Sequence, residues 1–220
     1  MVADRVGYLR ITEFQDNTTK DFIRGVENLE KEGLDGLILD LRNNPGGLLD
    51  VSIEMAQLFI PKGGMVVSTK GRVANQNMEF RSKEENPHMG YPIVILVNGG
   101  SASASEILAG ALKDHQRAIL MGTKTFGKGS VQTVIPLKDG SAIRLTTSTY
   151  YTPSGRSING EGLEPDVLVE EESSPPGPKA KKQEPPLEEP AAKVPPLDPV
   201  IVRAVDLLKG LKVYKGNAKI

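Results

Sequence analysis

Pro92–Val97 reads PIVILV and runs straight into Asn98–Glu106, NGGSASASE. An unbroken aliphatic run with β-branched residues predicts a strand buried on both faces, which only a sheet covered on both sides can hold. Glycines and serines make the turn after it. Ile107, Leu108, Ala111 and Leu112 then share one face of a helix over 104–115. The same order of elements stands upstream. Gly36–Leu41 (GLILDL) is a second buried strand, Arg42–Gly47 (RNNPGG) a turn, and residues 48–60 return to helical spacing. Strands separated by helices predict βαβ units and an α/β fold.

Outward from these two units the periodicity predicts a strand over 6–11 and a helix opening at Thr18, with Phe22, Val26 and Leu29 on one face and Gly33 as its stop. Residues 65–69 and 78–81 read as a hairpin. Short strands follow near 118–121, 131–135, 143–148 and 167–169. Between Ser173 and Pro196 the composition shifts: 8 of the 16 prolines fall there, with many charges and little apolar surface. Such a stretch cannot bury enough to offset its ordering entropy. The expected division is a body over 1–172, a Pro-rich flexible linker over 173–196, and residues 197–220 carrying a helix that packs back on the body. Asp198-Pro199 opens that helix, Val202, Val205 and Leu208 recur at three-residue steps, and Gly210 lies near its end.

Composition narrows the chemistry. The 220 residues carry 27 basic and 28 acidic side chains, a net charge of -1, so nucleic acid is not the expected partner. Cysteine is absent and histidine occurs twice, which removes disulfides, thiolate catalysis and Cys-ligated zinc. No run reaches the about 18 apolar residues of a membrane span, and no signal peptide is visible at the amino end.

The two strand-ending turns are the candidate site, because ligands of α/β folds bind beyond the carboxyl ends of the strands. Glycine lets backbone N–H groups approach a ligand, helix N-termini favour negative charge, and two such turns side by side make an oxyanion hole. Taken singly, each turn reads equally as an ordinary capped junction. A nucleophilic serine among Ser101, Ser103 and Ser105 would need a base. His115 lies 12 residues beyond Ser103, roughly 18 Å along a helix, and His88 precedes the strand whose far end carries the serines. Lys128, in FGKGS, can serve if it is uncharged, and burial favours that form. Gln132 could hold its amine, although a loop lysine is ordinarily just solvated. Gly122–Lys128 mimics a phosphate-binding loop, but Gly129 stands where Ser or Thr is needed and a strand follows instead of a helix.

These residues carry a resemblance. DLRNNPGG (40–47), GSASASEI (100–107), GTKTFGKG (122–129) and YTPSGRSI (151–158), in that order, resemble the catalytic core of the carboxyl-terminal processing peptidases, also called tail-specific proteases. These are Ser-Lys serine proteases of the tricorn-like group. The resemblance runs from Val6 to about Val169 and takes in the final helix. It implies a crotonase/tricorn-like ββα core, Ser103 as nucleophile, Lys128 as base 25 residues on, and Gln132 as third member. It implies oxyanion donors at the backbone N–H of Ala104 and of either Gly46 or Gly47, and no metal or cofactor. Implied partners are protein or peptide substrates that are unfolded or have accessible C-termini, and a homo-oligomer stays open. The implied setting is extracytoplasmic, such as the periplasm. The family's PDZ module and secretion signal do not appear in these residues, so the chain reads as a protease domain alone. Two rivals remain, a crotonase-type acyl-CoA enzyme and a catalytically silent peptide-binding scaffold.

Overall fold

The computed structural model describes residues 1–3, 5–170 and 198–217; the expected linker lies outside them. In chain order the elements are β1 (Val6–Arg10), α1 (Thr18–Lys31), β2 (Gly36–Asp40), α2 (Leu49–Gln57), β3 (Met65–Gly71), β4 (Met78–Arg81), β5 (Ile93–Val97), α3 (Ala104–Asp114), β6 (Ala118–Gly122), β7 (Ser130–Pro136), β8 (Ala142–Tyr151), β9 (Val167–Leu168) and α4 (Pro199–Asn217). Two sheets result. A parallel sheet has the order β1-β2-β5-β6-β9, and an antiparallel one the order β4-β3-β8-β7. The alternation of strand and helix foretold the first. The second was legible only as far as the β3–β4 hairpin. Its completion by β8 pairs residues about 80 positions apart, such as Ser68 with Tyr151, and no local pattern encodes that.

The aliphatic runs are continuous because the parallel sheet is buried on both faces. Along β2, Leu37 and Leu39 enter a large core with Phe22, Val26, Met55, Phe59, Leu108 and Leu112 from α1, α2, α3 and the segment after α2. Ile38, between them, faces the opposite way and meets Val94, Leu96 and Met121. That second face is covered by α4 through Val200, Ala204, Val205 and Leu208.

Two expectations for α4 need correction. Val202 is exposed, and the helix runs on through Gly210 to Asn217. A strict three-residue step drifts around a helix of 3.6 residues per turn, so the packed face follows steps of four, one and three instead. A glycine inside a helix costs only about 1 kcal/mol relative to alanine, which packing along the rest of α4 offsets.

A buried charge cluster joins this helix to the sheet. Asp40, fully buried at the end of β2, accepts from the Arg42 Nε and backbone N–H at 3.0 Å each, from Arg42 Nη2 at 2.8 Å and from the Tyr8 hydroxyl at 2.8 Å. Burial pushes the Asp40 carboxyl up, but the hydrogen bonds from Arg42 and Tyr8 outweigh it and hold it below the usual carboxylate range. Burial, and then the bond to Asp40, push the Tyr8 phenol up to about 12.

The native state therefore holds Asp40 ionised more firmly than the unfolded chain does. Its contribution is complete above the ordinary carboxyl range near about pH 4 and is lost as pH falls through the depressed native value. Asp40→Asn should lose about 3 kcal/mol at neutral pH, the low end for breaking a buried pair, because Asp198 still faces Arg42. Urea midpoints should show the gap to the parent closing on acidification. A gap that stays constant with pH would remove the ionised pair from the account.

Candidate active site

Strands β2 and β5 run parallel, with Asp40 opposite Leu96, so the turns that follow them emerge side by side. Three asparagines lock the turns together. Asn98 Oδ1 accepts from the N–H groups of Asn43 (2.9 Å) and Gly100 (3.0 Å), and Asn98 Nδ2 donates to Asn43 Oδ1. Asn44, fully buried, donates from Nδ2 to Ile11 O and accepts from the Ala102 N–H on its carbonyl.

The flanking serines serve the same lock. Ser101 Oγ donates to Leu41 O at 2.8 Å and accepts from the Asn98 N–H. Ser105 Oγ donates to Asn44 O at 3.0 Å. Ser103 differs. Its hydroxyl has no hydrogen bond among the described residues, and its backbone has φ 56 and ψ -115. A non-glycine residue in that region is strained, by about 1–3 kcal/mol, and persists only where its surroundings hold it. The cap of α3 does not consume the hydroxyl either, since the Glu106 N–H bonds to the Ser103 carbonyl.

Beside Ser103 lie the Ala104 N–H and the turn that carries Gly46 and Gly47. Ala104 opens α3, where N–H groups have no intrahelical acceptor. On the facing turn, Gly46 packs so tightly that a Cβ on it would lie 2.8 Å from Ser103 Cβ and 3.0 Å from Ala104 N. Its φ of 106 also favours glycine. The Gly46 N–H is already committed to Asn44 Oδ1 at 2.8 Å. The Gly47 N–H has no acceptor among the described residues.

Glu106 is the residue that sequence reasoning passed over. Its carboxylate is buried and receives four donors. The Thr125 hydroxyl (2.5 Å) and Gly127 N–H (2.8 Å) reach Oε1. The Ser103 and Lys128 N–H groups reach Oε2, at 2.9 Å each. One oxygen thus fixes the backbone of both residues. The available signal was the Ser-x-x-Glu pattern of a capping box, in which the glutamate returns to the N-cap N–H.

The segment 123–129 is further held by Phe126 N–H on Ser101 O. Gly127 and Gly129 pass against the backbone of residues 159–162, where a Cβ on Gly129 would lie 2.4 Å from Asn159 N. Lys128 follows the ordinary reading of a loop lysine, not the buried one that would favour its uncharged form. The Lys128 side chain is exposed and has no hydrogen bond to Ser103 or Gln132. The loop is anchored through its backbone, which leaves the side chain on the solvent side. Gln132 is also exposed, on β7 after a bulge at Val131/Gln132. The histidines lie elsewhere: His88 Nδ1 meets Glu30 Oε1 at 2.8 Å and His115 Nε2 meets Met65 O at 2.7 Å.

Comparison with known proteins gives the family. The model of peptidase family S41 matches residues 5–169. The chain is 50% identical over 174 residues to the carboxy-terminal-processing protease of Bartonella bacilliformis, covering 77% of this chain and 40% of that protein. It is 44% identical over 166 residues to the carboxyl-terminal-processing protease of Synechocystis, covering 76% of this chain and 38% of that protein. Among solved structures, the photosystem II D1 C-terminal processing protease superposes with a TM-score of 0.70 at 40% identity, over 75% of this chain and 42% of that one. The chain belongs to peptidase family S41. It has the α/β core of those proteases and spans about two fifths of the length of the curated relatives it matches. These relatives do not favour the acyl-CoA alternative.

Proposed function

We propose that this chain carries the catalytic core of a serine endopeptidase of the carboxyl-terminal processing type, working through a Ser103–Lys128 dyad. The observation that supports this best is the contrast among the three serines. Ser101 and Ser105 spend their hydroxyls on the turns, while Ser103 holds a free hydroxyl in strained backbone at a helix N-terminus.

In the reaction, an uncharged Lys128 amine takes the Ser103 Oγ proton as Oγ attacks the scissile carbonyl carbon. The oxyanion accepts from the N–H groups of Ala104 and Gly47, with the α3 dipole behind them. Of the two glycines, Gly46 is disfavoured because Asn44 holds its N–H. The lysine ammonium then protonates the leaving amine, which departs and leaves an acyl ester on Oγ. Water attacks the ester carbonyl, giving a proton to Lys128; the acyl–Oγ bond then breaks, the ammonium returns that proton to Oγ, and the acid product leaves. Ser103 N and Lys128 N share one carboxylate oxygen, which holds the two backbones near each other, and on this reading the lysine side chain turns in toward Oγ for the reaction. Gln132 orients the amine once it turns in.

Substrates on this reading are polypeptides that are unfolded or have accessible C-termini, and the working setting is extracytoplasmic. The test is covalent labelling with a fluorophosphonate. Peptide mapping should find one adduct, on Ser103, and Lys128→Ala should suppress it. An adduct on Ser101 or Ser105, or none at any pH, overturns the assignment.

A further inference from the structure

Arg42 joins two parts of the molecule that are distant in sequence. It stands between β2 and the turn Asn43–Gly47, and its side chain is almost wholly buried. Asp40 grips it from the strand. From the other side Arg42 Nη1 meets Asp198 Oδ2 at 2.6 Å. Asp198 divides its carboxylate between two tasks. Oδ1 accepts the Val200 N–H at 2.8 Å, capping α4, and Oδ2 faces the guanidinium. Helix α4 is itself seated on Ile38, Val94 and Leu96, so the carboxylate arrives on a fixed support.

The next residue, Asn43, is in a left-handed conformation, φ 58, and its N–H and side chain make the bonds to Asn98 that tie the two turns. Asparagine adopts this region readily, and the conformation sets the direction in which the turn leaves Arg42. Among the described residues, the flank on the Arg42 side is held by the Asp40 and Asp198 carboxylates, the second of which caps α4. Asn44, Gly46 and Gly47 follow directly.

We propose that Asp198 is a positioning residue for the reaction: by holding Arg42, it sets the turn that presents the oxyanion donor to Ser103. The proposal rests on the serine-protease reading above. Asp198 acts through Arg42 and never touches substrate, so displacement of the turn lowers the rate of the chemical step more than binding. Misplacement by about 1 Å is enough to cost about a hundredfold in rate.

Asp198→Asn in the full chain separates the two tasks. Asparagine caps a helix as well as aspartate does, but it brings no charge to Arg42. Active sites are counted by fluorophosphonate titration, and kcat and KM are measured on an unfolded substrate, with melting followed in parallel. The expected result is a melting temperature within a few degrees of the parent, KM within about twofold, and kcat per titrated site lowered about 10- to 100-fold. Asp198→Glu, which keeps the charge, should recover part of that loss.

An unchanged kcat per titrated site in Asp198→Asn overturns the proposal. Should that variant melt far below the parent, Leu208→Ala decides, since it loosens α4 with the charge in place. Equal loss of kcat per titrated site in a Leu208→Ala protein of matched stability overturns the proposal, and retained kcat supports it. A parent protein that never labels at Ser103 sinks the serine-protease reading, whereas a parent and an Asp198→Asn variant that label and turn over alike sink this inference alone.

Discussion

Ser103→Ala is expected to lower kcat by about ten-thousand-fold or more, the scale on which nucleophile–base units fail when one member is removed. The melting temperature should hardly move, because the hydroxyl has no partner to lose and alanine suffers the same backbone strain. Lys128→Ala should match that loss. Lys128→Arg should do no better, since a guanidinium is not deprotonated in proteins and cannot take the serine proton. Gln132→Ala, at an exposed position on β7, should be milder. The flanking serines behave in the opposite way. Ser101→Ala and Ser105→Ala each leave a buried carbonyl short of a donor and should cost about 1–2 kcal/mol in denaturant stability while keeping most of the turnover. A dead Ser105→Ala beside an active Ser103→Ala would move the nucleophile.

Glu106 should show the second large effect, on both activity and stability. A carboxylate only accepts, so its two oxygens can satisfy the Thr125 hydroxyl and the N–H groups of Ser103, Gly127 and Lys128 together. Glu106→Ala strands four donors in the interior, each costing about 1–3 kcal/mol when buried without a partner. Local rearrangement will recover part of this, and a net loss of about 4 kcal/mol is expected. Glu106→Gln is the sharper probe. Its amide nitrogen donates, so it opposes the Ser103 and Lys128 N–H groups when turned one way and the Gly127 N–H when turned the other, where the Thr125 hydroxyl can rotate to accept. Both variants should lose at least about a hundredfold in kcat, because the backbones of Ser103 and Lys128 are no longer fixed to one atom. Glu106→Gln with parental kcat would reduce the clamp to a purely architectural role.

Much of this was legible before any coordinates. GLILDL and PIVILV announced a parallel sheet covered on both sides, and the polar turns after them emerge side by side as the candidate site. What escaped the sequence shares one physical character. Glu106 was visible as a member of SASASE, yet three of its four donors are backbone N–H groups, which have no residue identity to read. The preference for Gly47 over Gly46 depends on the side chain of Asn44 reaching back two residues. The tie from Asp198 to Arg42 spans more than 150 positions. The exposure of Lys128 depends on which side of its loop is anchored, and glycines on both sides permit either. Periodicity reports burial of side chains along one element, and it is silent about hydrogen bonds that run from backbone to distant side chains.

The second face of the parallel sheet has a consequence for how the protein is made. A ribosome delivers the chain from its amino end, so β1, β2, β5, β6 and β9 can all be assembled before Asp198 has been added. Until α4 follows, Ile38, Val94, Leu96 and Met121 stay uncovered, a sticky apolar plate of the kind that engages chaperones or aggregates. Over the same interval Arg42 waits for the Asp198 carboxylate, next to the turn that faces Ser103. Until α4 is delivered, then, the second face of the sheet and the Arg42 side of the turn are both unfinished.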